Sequence, residues 1–250
     1  MVEGFFFFLL GLLFGSFANV LIYRIPHGIS IILPSSFCPE CKKKIKFYDN
    51  VPLLSYLILK GKCRYCGKKI PIRYPLVELL SGFIFYTSYL KFGISIKMLG
   101  TIFLLYFLMI MAFIDYETGY IYDSILFPSI YAGFIISFFQ NHLLSSIFYA
   151  LFAFLFGFFI GWMGKKIFKK EALGEGDPYV FALIAIYIRG FDFFLTLFIS
   201  FFIGSIIGIL FLLKNKKEYL PLLPFLFSGT FIYYLIYPYH LKILLGFIIK

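Results

Sequence analysis

Apolar residues fill eight segments of this chain, and a long polar stretch separates the first segment from the second. A helix needs about 20 apolar residues to cross a bilayer. The apolar segments cover residues 4–23, 76–96, 98–114, 121–139, 143–163, 178–189, 192–213 and 222–238. The sixth is short enough for a half-buried or tilted helix. The pattern predicts an all-α polytopic membrane protein with about eight transmembrane helices.

The polar stretch divides the predicted protein into three parts. Residues 1–23 form a first transmembrane helix, residues 24–75 a small cytoplasmic domain, and residues 76–250 a multi-helix membrane domain. The tail at 241–250 is mostly apolar but too short to span, so it extends the last helix or lies along the membrane surface. A domain as small as 24–75 needs a covalent or metal cross-link, because its core is small.

Composition excludes a soluble fold. Of the 250 residues 62% are hydrophobic and 14% charged, against about 45–50% and 25% in soluble domains. The net charge of +11 would suggest nucleic acid in a soluble chain. In a membrane chain, basic residues collect in cytoplasmic loops and at anionic lipid. We therefore expect membrane lipids, and no nucleic acid, as partners.

The positions of the basic residues predict the orientation. Eleven of the 23 Lys and Arg lie in 24–75, and seven more lie in two loops predicted on the same side, at Lys165, Lys166, Lys169, Lys170, Lys214, Lys216 and Lys217. Because positive charge marks the cytoplasmic side, the N-terminus is expected outside a plasma (inner) membrane. No basic region precedes the first span and no small-residue cleavage site is present, so no removable signal peptide is expected.

Four cysteines form two C-x-x-C pairs in the polar stretch, at Cys38, Cys41, Cys63 and Cys66. Two such pairs at this separation can close a tetrahedral thiolate site. Two disulfides are the weaker alternative, because the domain is predicted on the reducing side of the membrane. The sequence predicts structural Zn²⁺, since four cysteines leave no open position for catalysis.

Two carboxylates beside apolar segments are candidates for catalysis. Asp115 follows one segment, and Asp177 follows Gly174-Glu175-Gly176 and precedes another. Both are predicted at the cytoplasmic face, where two carboxylates can share a proton, as in aspartic proteases. Taken singly, Asp177 is equally a helix N-cap before Pro178 and Asp115 an end-of-helix acid. Asp123 is a reserve candidate or a cap of the next helix.

Several motifs resemble those of the type IV prepilin peptidases, membrane aspartic proteases of the GxGD type. The resemblance rests on Gly15-Ser16-Phe17-Ala18-Asn19-Val20, Tyr23-Arg24-Ile25-Pro26, Cys38-Pro39-Glu40-Cys41, Asn50-Val51-Pro52-Leu53-Leu54-Ser55-Tyr56, Gly61-Lys62-Cys63-Arg64-Tyr65-Cys66, Ile72-Arg73-Tyr74-Pro75-Leu76-Val77-Glu78, Ile114-Asp115 with Asp123, and Glu171-Ala172-Leu173-Gly174-Glu175-Gly176-Asp177. The chain departs from the family at Tyr179, where Lys is frequent, and at Tyr122, where Pro is frequent.

The resemblance implies an activity that composition and spacing do not. Asp115 and Asp177 would be the catalytic pair of an endopeptidase. Its substrates would be prepilin or pseudopilin precursors of a type IV pilus or type II secretion system, cut after a glycine that ends a short basic leader. Enzymes with this cysteine-bearing loop are similar in also methylating the new N-terminus with S-adenosylmethionine. No G-x-G-x-x-G nucleotide loop corroborates that second activity.

Two other functions remain as alternatives. A proton-coupled transporter would place acidic residues near the bilayer midplane, often in repeated halves, and no repeat is visible in the sequence. An assembly factor without catalysis would lack one of the aspartates, and both are present. Three further polar residues, Asn19, Arg24 and Glu78, are expected to pair across the first two long helices, to cap them, or to contact substrate.

Overall fold

The computed structural model describes residues 2–169, 173–213 and 220–236, and these residues are mostly helical. In chain order the helices are α1 Val2–Arg24, α2 Leu54–Ile58, α3 Arg73–Phe92, α4 Ile96–Thr118, α5 Asp123–Phe139, α6 Leu143–Phe168, α7 Asp177–Tyr187, α8 Phe191–Leu213 and α9 Leu223–Ile236. A 3₁₀ turn covers Phe47–Asp49. Over the described ranges, extended pairing is limited to two isolated bridges, Phe37 with Lys44 and Lys62 with Lys69.

Each of the eight predicted apolar segments overlaps one of the eight long helices. Four of them, α1, α4, α6 and α8, are long and apolar enough to cross a membrane, whereas α5, α7 and α9 are shorter apolar helices. The prediction of a multi-pass α-helical membrane protein is therefore confirmed. The number of crossings, eight, stays a prediction.

Some helix ends differ from the predicted ones. Helix α4 continues to Thr118, so Asp115 lies in its last turn rather than in a loop. Helix α6 continues to Phe168, which places Lys165 and Lys166 in its last turn. The apolar patterns ended earlier than the helices because polar side chains at a helix end reach water while the backbone stays helical.

Several residues used in the sequence predictions lie outside the described ranges. These are Lys170, Glu171, Ala172, Lys214, Lys216, Lys217 and the tail at 241–250.

The chain forms two compact units, Met1–Ile102 and Phe103–Lys250. The first contains α1, the polar stretch, α3 and the start of α4; the second contains the rest of α4 and α5 to α9. The division into 1–23, 24–75 and 76–250 stays a prediction.

In the first unit α1 and α3 run antiparallel with their backbones in close approach. A Cβ on Gly11 would lie 2.6 Å from the carbonyl oxygen of Ser81, and one on Gly15 only 2.5 Å from the Cα of Glu78. Glycines four residues apart are a known signal for close packing of membrane helices. Because no side chain fits between these backbones, α3 lies directly against α1.

In the second unit the short helix α7 lies in the interior. Residues 180–186 are all buried, and α7 packs against α5 and α6. A Cβ on Gly157 of α6 would lie 2.9 Å from the ring of Phe181, so α6 too approaches closely. A helix of 11 residues is about 16 Å long, too short to cross the bilayer, and its burial explains its apolar sequence.

Candidate active site and metal centre

Asp115 is a buried carboxylate near the end of α4, with only 3% of its surface exposed. Its Oδ2 accepts a hydrogen bond from the backbone N–H of Leu223, at 3.0 Å. Leu223 is the first residue of α9, and the first-turn N–H groups of a helix have no partner within the helix. Asp115 thus accepts a hydrogen bond from an N–H at the start of α9, as the side chain of an N-cap residue ordinarily would.

Asp177 is the first residue of α7 and is 6% exposed. Its Oδ2 accepts a hydrogen bond of 2.7 Å from the backbone N–H of Gly174. An N-cap side chain would instead accept from an N–H further along the helix, and the N-cap residue of α7 is Gly176, without a side-chain bond. The structure therefore does not support the N-cap interpretation of Asp177.

The turn before α7 fits tightly against the segment that follows α4. A Cβ on Gly176 would lie 2.8 Å from the side chain of Ile121, so a larger residue at 176 would displace this turn. Ile121 follows Asp115 closely in the chain, and the two carboxylates interact electrostatically. The structure thus brings Asp115 and Asp177 into one region of the second unit.

Both carboxylates are buried, and few neighbouring groups offset their negative charge. Each accepts one backbone hydrogen bond, and neither has a basic side-chain partner among the described residues. Two buried carboxylates within electrostatic range cannot easily both ionise, which favours one shared proton. General acid–base chemistry at a peptide carbonyl needs one protonated and one ionised carboxyl group, and such a pair can supply both.

The third acidic candidate is placed differently. Asp123 begins α5 and is exposed. The two departures from the family pattern lie close by in the chain: Tyr122 is the N-cap residue of α5, and Tyr179 packs its ring on Phe127 and Phe154, with centroid separations of 6.1 and 4.8 Å. Tyr179 therefore has an aromatic environment where a lysine would bring a positive charge.

The four cysteines of the first unit come together. Their sulfurs all lie within 4.8 Å of one another, none is in a disulfide, and the sulfurs of Cys38 and Cys66 are 3.9 Å apart. A tetrahedral site with Zn–S bonds of 2.3 Å requires sulfurs about 3.8 Å apart. The cluster therefore has the donor set and the dimensions to hold a metal ion.

Each C-x-x-C pair sits in a tight turn closed by backbone hydrogen bonds. Cys38 donates to the carbonyl of Lys43, and Cys63 donates in the same way to that of Lys68. Backbone N–H groups of Cys66 and Tyr65 directed at the Cys63 sulfur lower the pKa of that thiol to about 7. A thiolate is the form that binds a metal, so the turn favours the metal-binding form of Cys63.

An ion pair ties the second turn to the 3₁₀ turn. The Arg64 guanidinium donates to both carboxylate oxygens of Asp49, at 2.6 and 2.8 Å. This pair holds the pKa of Asp49 below its usual range. The bidentate geometry fixes the orientation of both side chains.

The remaining polar candidates hold backbone segments. Asn19 donates to the carbonyl of Tyr74, and so links α1 to α3 as expected. Arg24 and Glu78 do not pair with each other. Arg24 donates to the carbonyls of Ser30 and Pro34, and Glu78 accepts from the N–H of Leu53.

Two contributions to these sites were not predicted. The partner of Asp115 is a main-chain N–H at Leu223, which any residue but proline could supply, so sequence carries no signal for it. The close approach of α1 and α3 does have a signal, the spacing of Gly11 and Gly15.

Two family models of known proteins match the chain. Residues 9–92 match the family model of the bacterial peptidase A24 N-terminal domain, and residues 102–213 match that of the type IV leader peptidase family. No solved structure matches the chain.

Named relatives extend the match. A prepilin leader peptidase/N-methyltransferase of Myxococcus xanthus (strain DK1622) is 36% identical over 85% of this chain, which spans 64% of that relative. A relative of the same name in Klebsiella pneumoniae is 38% identical, over 70% of this chain and 80% of the relative. Another in Neisseria gonorrhoeae is 31% identical, over 84% of this chain and 82% of the relative.

These matches confirm the family predicted from the sequence motifs, and with it the prediction of a multi-pass membrane enzyme of the prepilin peptidase and N-methyltransferase class. None of them supports a proton-coupled transporter. The chain belongs to the type IV leader peptidase family.

Proposed function

We propose that this enzyme removes the short basic leader from prepilin-like precursors at the cytoplasmic face of the membrane, with Asp115 and Asp177 as its catalytic pair. The observation that carries the proposal is the pairing itself. Two buried carboxylates from separate helices interact electrostatically in the second unit, and neither has a basic partner among the described residues. A purely structural acid at such a depth would be expected to have one.

The chemistry follows from a pair that shares one proton. The ionised carboxylate takes a proton from water, and the resulting oxygen attacks the carbonyl carbon of the glycine that ends the leader. The protonated carboxyl donates to the carbonyl oxygen. Collapse of the tetrahedral intermediate breaks the C–N bond, and the leaving nitrogen takes up a proton. The products are a leader with a carboxyl end and a mature chain with a free amine.

Backbone hydrogen bonds keep the two carboxylates in place. The N–H groups of Gly174 and Leu223 each hold one oxygen, which leaves the second oxygen of each group for water or substrate. Gly176 packs against Ile121, so the turn bearing Asp177 has little freedom to move.

The new amine would then be methylated, as the names of the relatives indicate for those proteins. S-adenosylmethionine would supply the methyl group to the amine nitrogen. The amine must be uncharged to accept the methyl group, because an ammonium group is not nucleophilic.

The four cysteines would hold structural Zn²⁺ on the cytoplasmic side. Their free sulfurs are spaced for a tetrahedral ion, and four thiolates leave no site for water on the metal. The metal would cross-link the polar stretch between α1 and α3. This role agrees with the orientation that the basic residues predict, with the N-terminus outside.

The test is intact-mass analysis of a prepilin incubated with the detergent-purified protein, with and without S-adenosylmethionine. We expect loss of the leader, and a further methyl group when the donor is present. Asp115→Asn and Asp177→Asn should leave the precursor uncut. Asp123→Asn is the matched control, since it removes an exposed acid near by in the chain, and it should cleave normally. Full cleavage by Asp177→Asn would overturn the assignment.

A further inference from the structure

The first unit contains a cleft whose walls come from α1 and from two segments of the polar stretch. Its volume is about 420 Å³, within the range of ligand sites in proteins. One wall is the face of α1 from Leu13 to Arg24, and the others are residues 31–36 and 50–52. None of these residues belongs to the aspartate site or the cysteine cluster.

Buried polar side chains fix both loop walls. Arg24 donates to the carbonyls of Ser30 and Pro34, at 2.7 and 2.6 Å, and so holds the 31–36 wall. Glu78 accepts from the N–H of Leu53 at 2.8 Å, where the backbone has a φ of 59°, a costly conformation for leucine. The cleft is therefore pre-formed rather than a gap between mobile loops.

Arg24 gives the cleft an unbalanced positive charge. Only 4% of its surface is exposed, its hydrogen-bond acceptors are neutral carbonyls, and its guanidinium lies 5.7 Å from the ring of Phe37. No acidic side chain lines the cleft. The nearby Glu78 binds the N–H of Leu53 and the Ser16 hydroxyl, and no acid pairs with Arg24 in the described part of the chain. A buried cation without a counter-charge is costly, so an anion in this cleft is favoured.

The cleft also changes polarity along its length. Along α1 the lining is Leu13, Ser16, Phe17 and Val20 and then Arg24, and Ser35 on the loop wall follows Pro34, whose carbonyl accepts a hydrogen bond from Arg24. Leu13 and Arg24 are about 16 Å apart along the helix axis at 1.5 Å per residue, which is about the hydrocarbon depth of one leaflet. The apolar end thus lies at the depth of lipid chains and the cationic end at the depth of headgroups.

From these features we infer that the cleft binds an anionic phospholipid, with the phosphate beside Arg24 and the upper part of an acyl chain against Phe17 and Val20. The cleft is too small for a whole lipid, so the chains continue into the bilayer. A basic peptide and a sulfonium compound both carry positive charge near their reactive groups, which Arg24 disfavours. A bound lipid would stabilise α1 against the polar stretch where the chain leaves the membrane.

Native mass spectrometry of the purified protein with added lipid tests this inference. Wild-type protein should retain one phosphatidylglycerol through delipidation and much less phosphatidylcholine. Ser35 is exposed at the polar end, so Ser35→Asp places a negative charge there and should reduce phosphatidylglycerol retention about tenfold, or ~1.4 kcal/mol. Ser35→Asn introduces a side chain of the same size as Asp but without charge, and it should bind phosphatidylglycerol as wild type does.

A second pair of variants tests the apolar end. Val20→Trp should fill it and lower retention, whereas Leu9→Trp, on an exposed part of α1 outside the cleft, should not. A thermal melt in detergent reports whether each variant is folded. Equal retention of the two lipids, equal binding by the Asp and Asn variants, or retention by Val20→Trp would each overturn the inference. Displacement of the lipid by inorganic phosphate alone would show a free-anion site and overturn the lipid assignment.

Discussion

The four-cysteine cluster in the first unit and the aspartate pair in the second differ in how far apart in the chain their parts lie. Cys38 and Cys66, the outermost cysteines, are 28 residues apart, whereas Asp115 and Leu223, whose N–H binds it, are 108 residues apart. Cys66 is exposed at the surface, and both aspartates are buried.

The difference teaches how each site acquires its geometry. Each cysteine turn positions two sulfurs by local hydrogen bonds, so only the pairing of two turns depends on tertiary structure. The aspartates depend on helices α4, α7 and α9 packing in register. We therefore expect the cysteine cluster to tolerate changes in helix packing that would disable the aspartate pair.

The largest expected effect comes from the aspartates. Asp115→Asn or Asp177→Asn should lower the cleavage rate by about 10²-fold to 10⁴-fold, the range for loss of a general acid or base. Because the two groups act as a unit, the double variant should be no slower than the worse single one. Rates of leader loss measured by mass spectrometry check this. Additive losses in the double variant would mean that the two groups act independently.

The next effect is removal of a metal ligand. Cys63→Ser should abolish stoichiometric zinc and lower the thermal midpoint of the first unit strongly, because binding energy at such a site is folding energy. Metal analysis of the purified protein and a thermal melt measure both. Because the aspartate pair does not include the cysteine turns, we expect Cys63→Ser to lose a larger fraction of its bound zinc than of its leader-cleavage rate. Asp49→Asn, outside the ligand set, is the control and should keep its zinc.

Helix packing in the first unit gives an intermediate effect. Gly15→Ala should destabilise the protein by about 1–3 kcal/mol, the usual cost of overpacking, because the new Cβ would meet the Cα of Glu78. Gly161→Ala in α6 is the control, since its Cβ would lie 3.6 Å from Leu173 at ordinary contact distance. Thermal melts in detergent compare the two variants. Equal stability would show that α1 and α3 can separate without cost.

The smallest effect concerns the Asp49–Arg64 ion pair. Arg64 is partly exposed, and such pairs contribute little and are screened by salt. Asp49→Asn should lower the thermal midpoint slightly at low salt, and the difference from wild type should vanish at high salt. Melts across a salt series measure it. A loss that persists in high salt would mean that the hydrogen bonds, rather than the charges, hold the two turns together.

The position of each long helix could be predicted from the sequence, since a run of apolar residues is visible without knowledge of neighbours. Their ends could not, as α4 shows by continuing past Asp115 to Thr118. The cysteine cluster was also predictable, because ligand spacing within each turn is a local property. The partners of Arg24 and Glu78 were not, because both bind main-chain groups that every residue carries.

By itself the sequence determined that this protein is a membrane enzyme of the leader peptidase family with a four-cysteine site, because apolar runs, ligand spacing and motif residues are properties of residue types at fixed separations. Tertiary structure alone decided that α7 is buried, that Asp177 is held by Gly174 and Asp115 by Leu223, and that an uncompensated Arg24 lines a cleft. These depend on which backbone groups meet when helices pack, and backbone groups are the same in every residue.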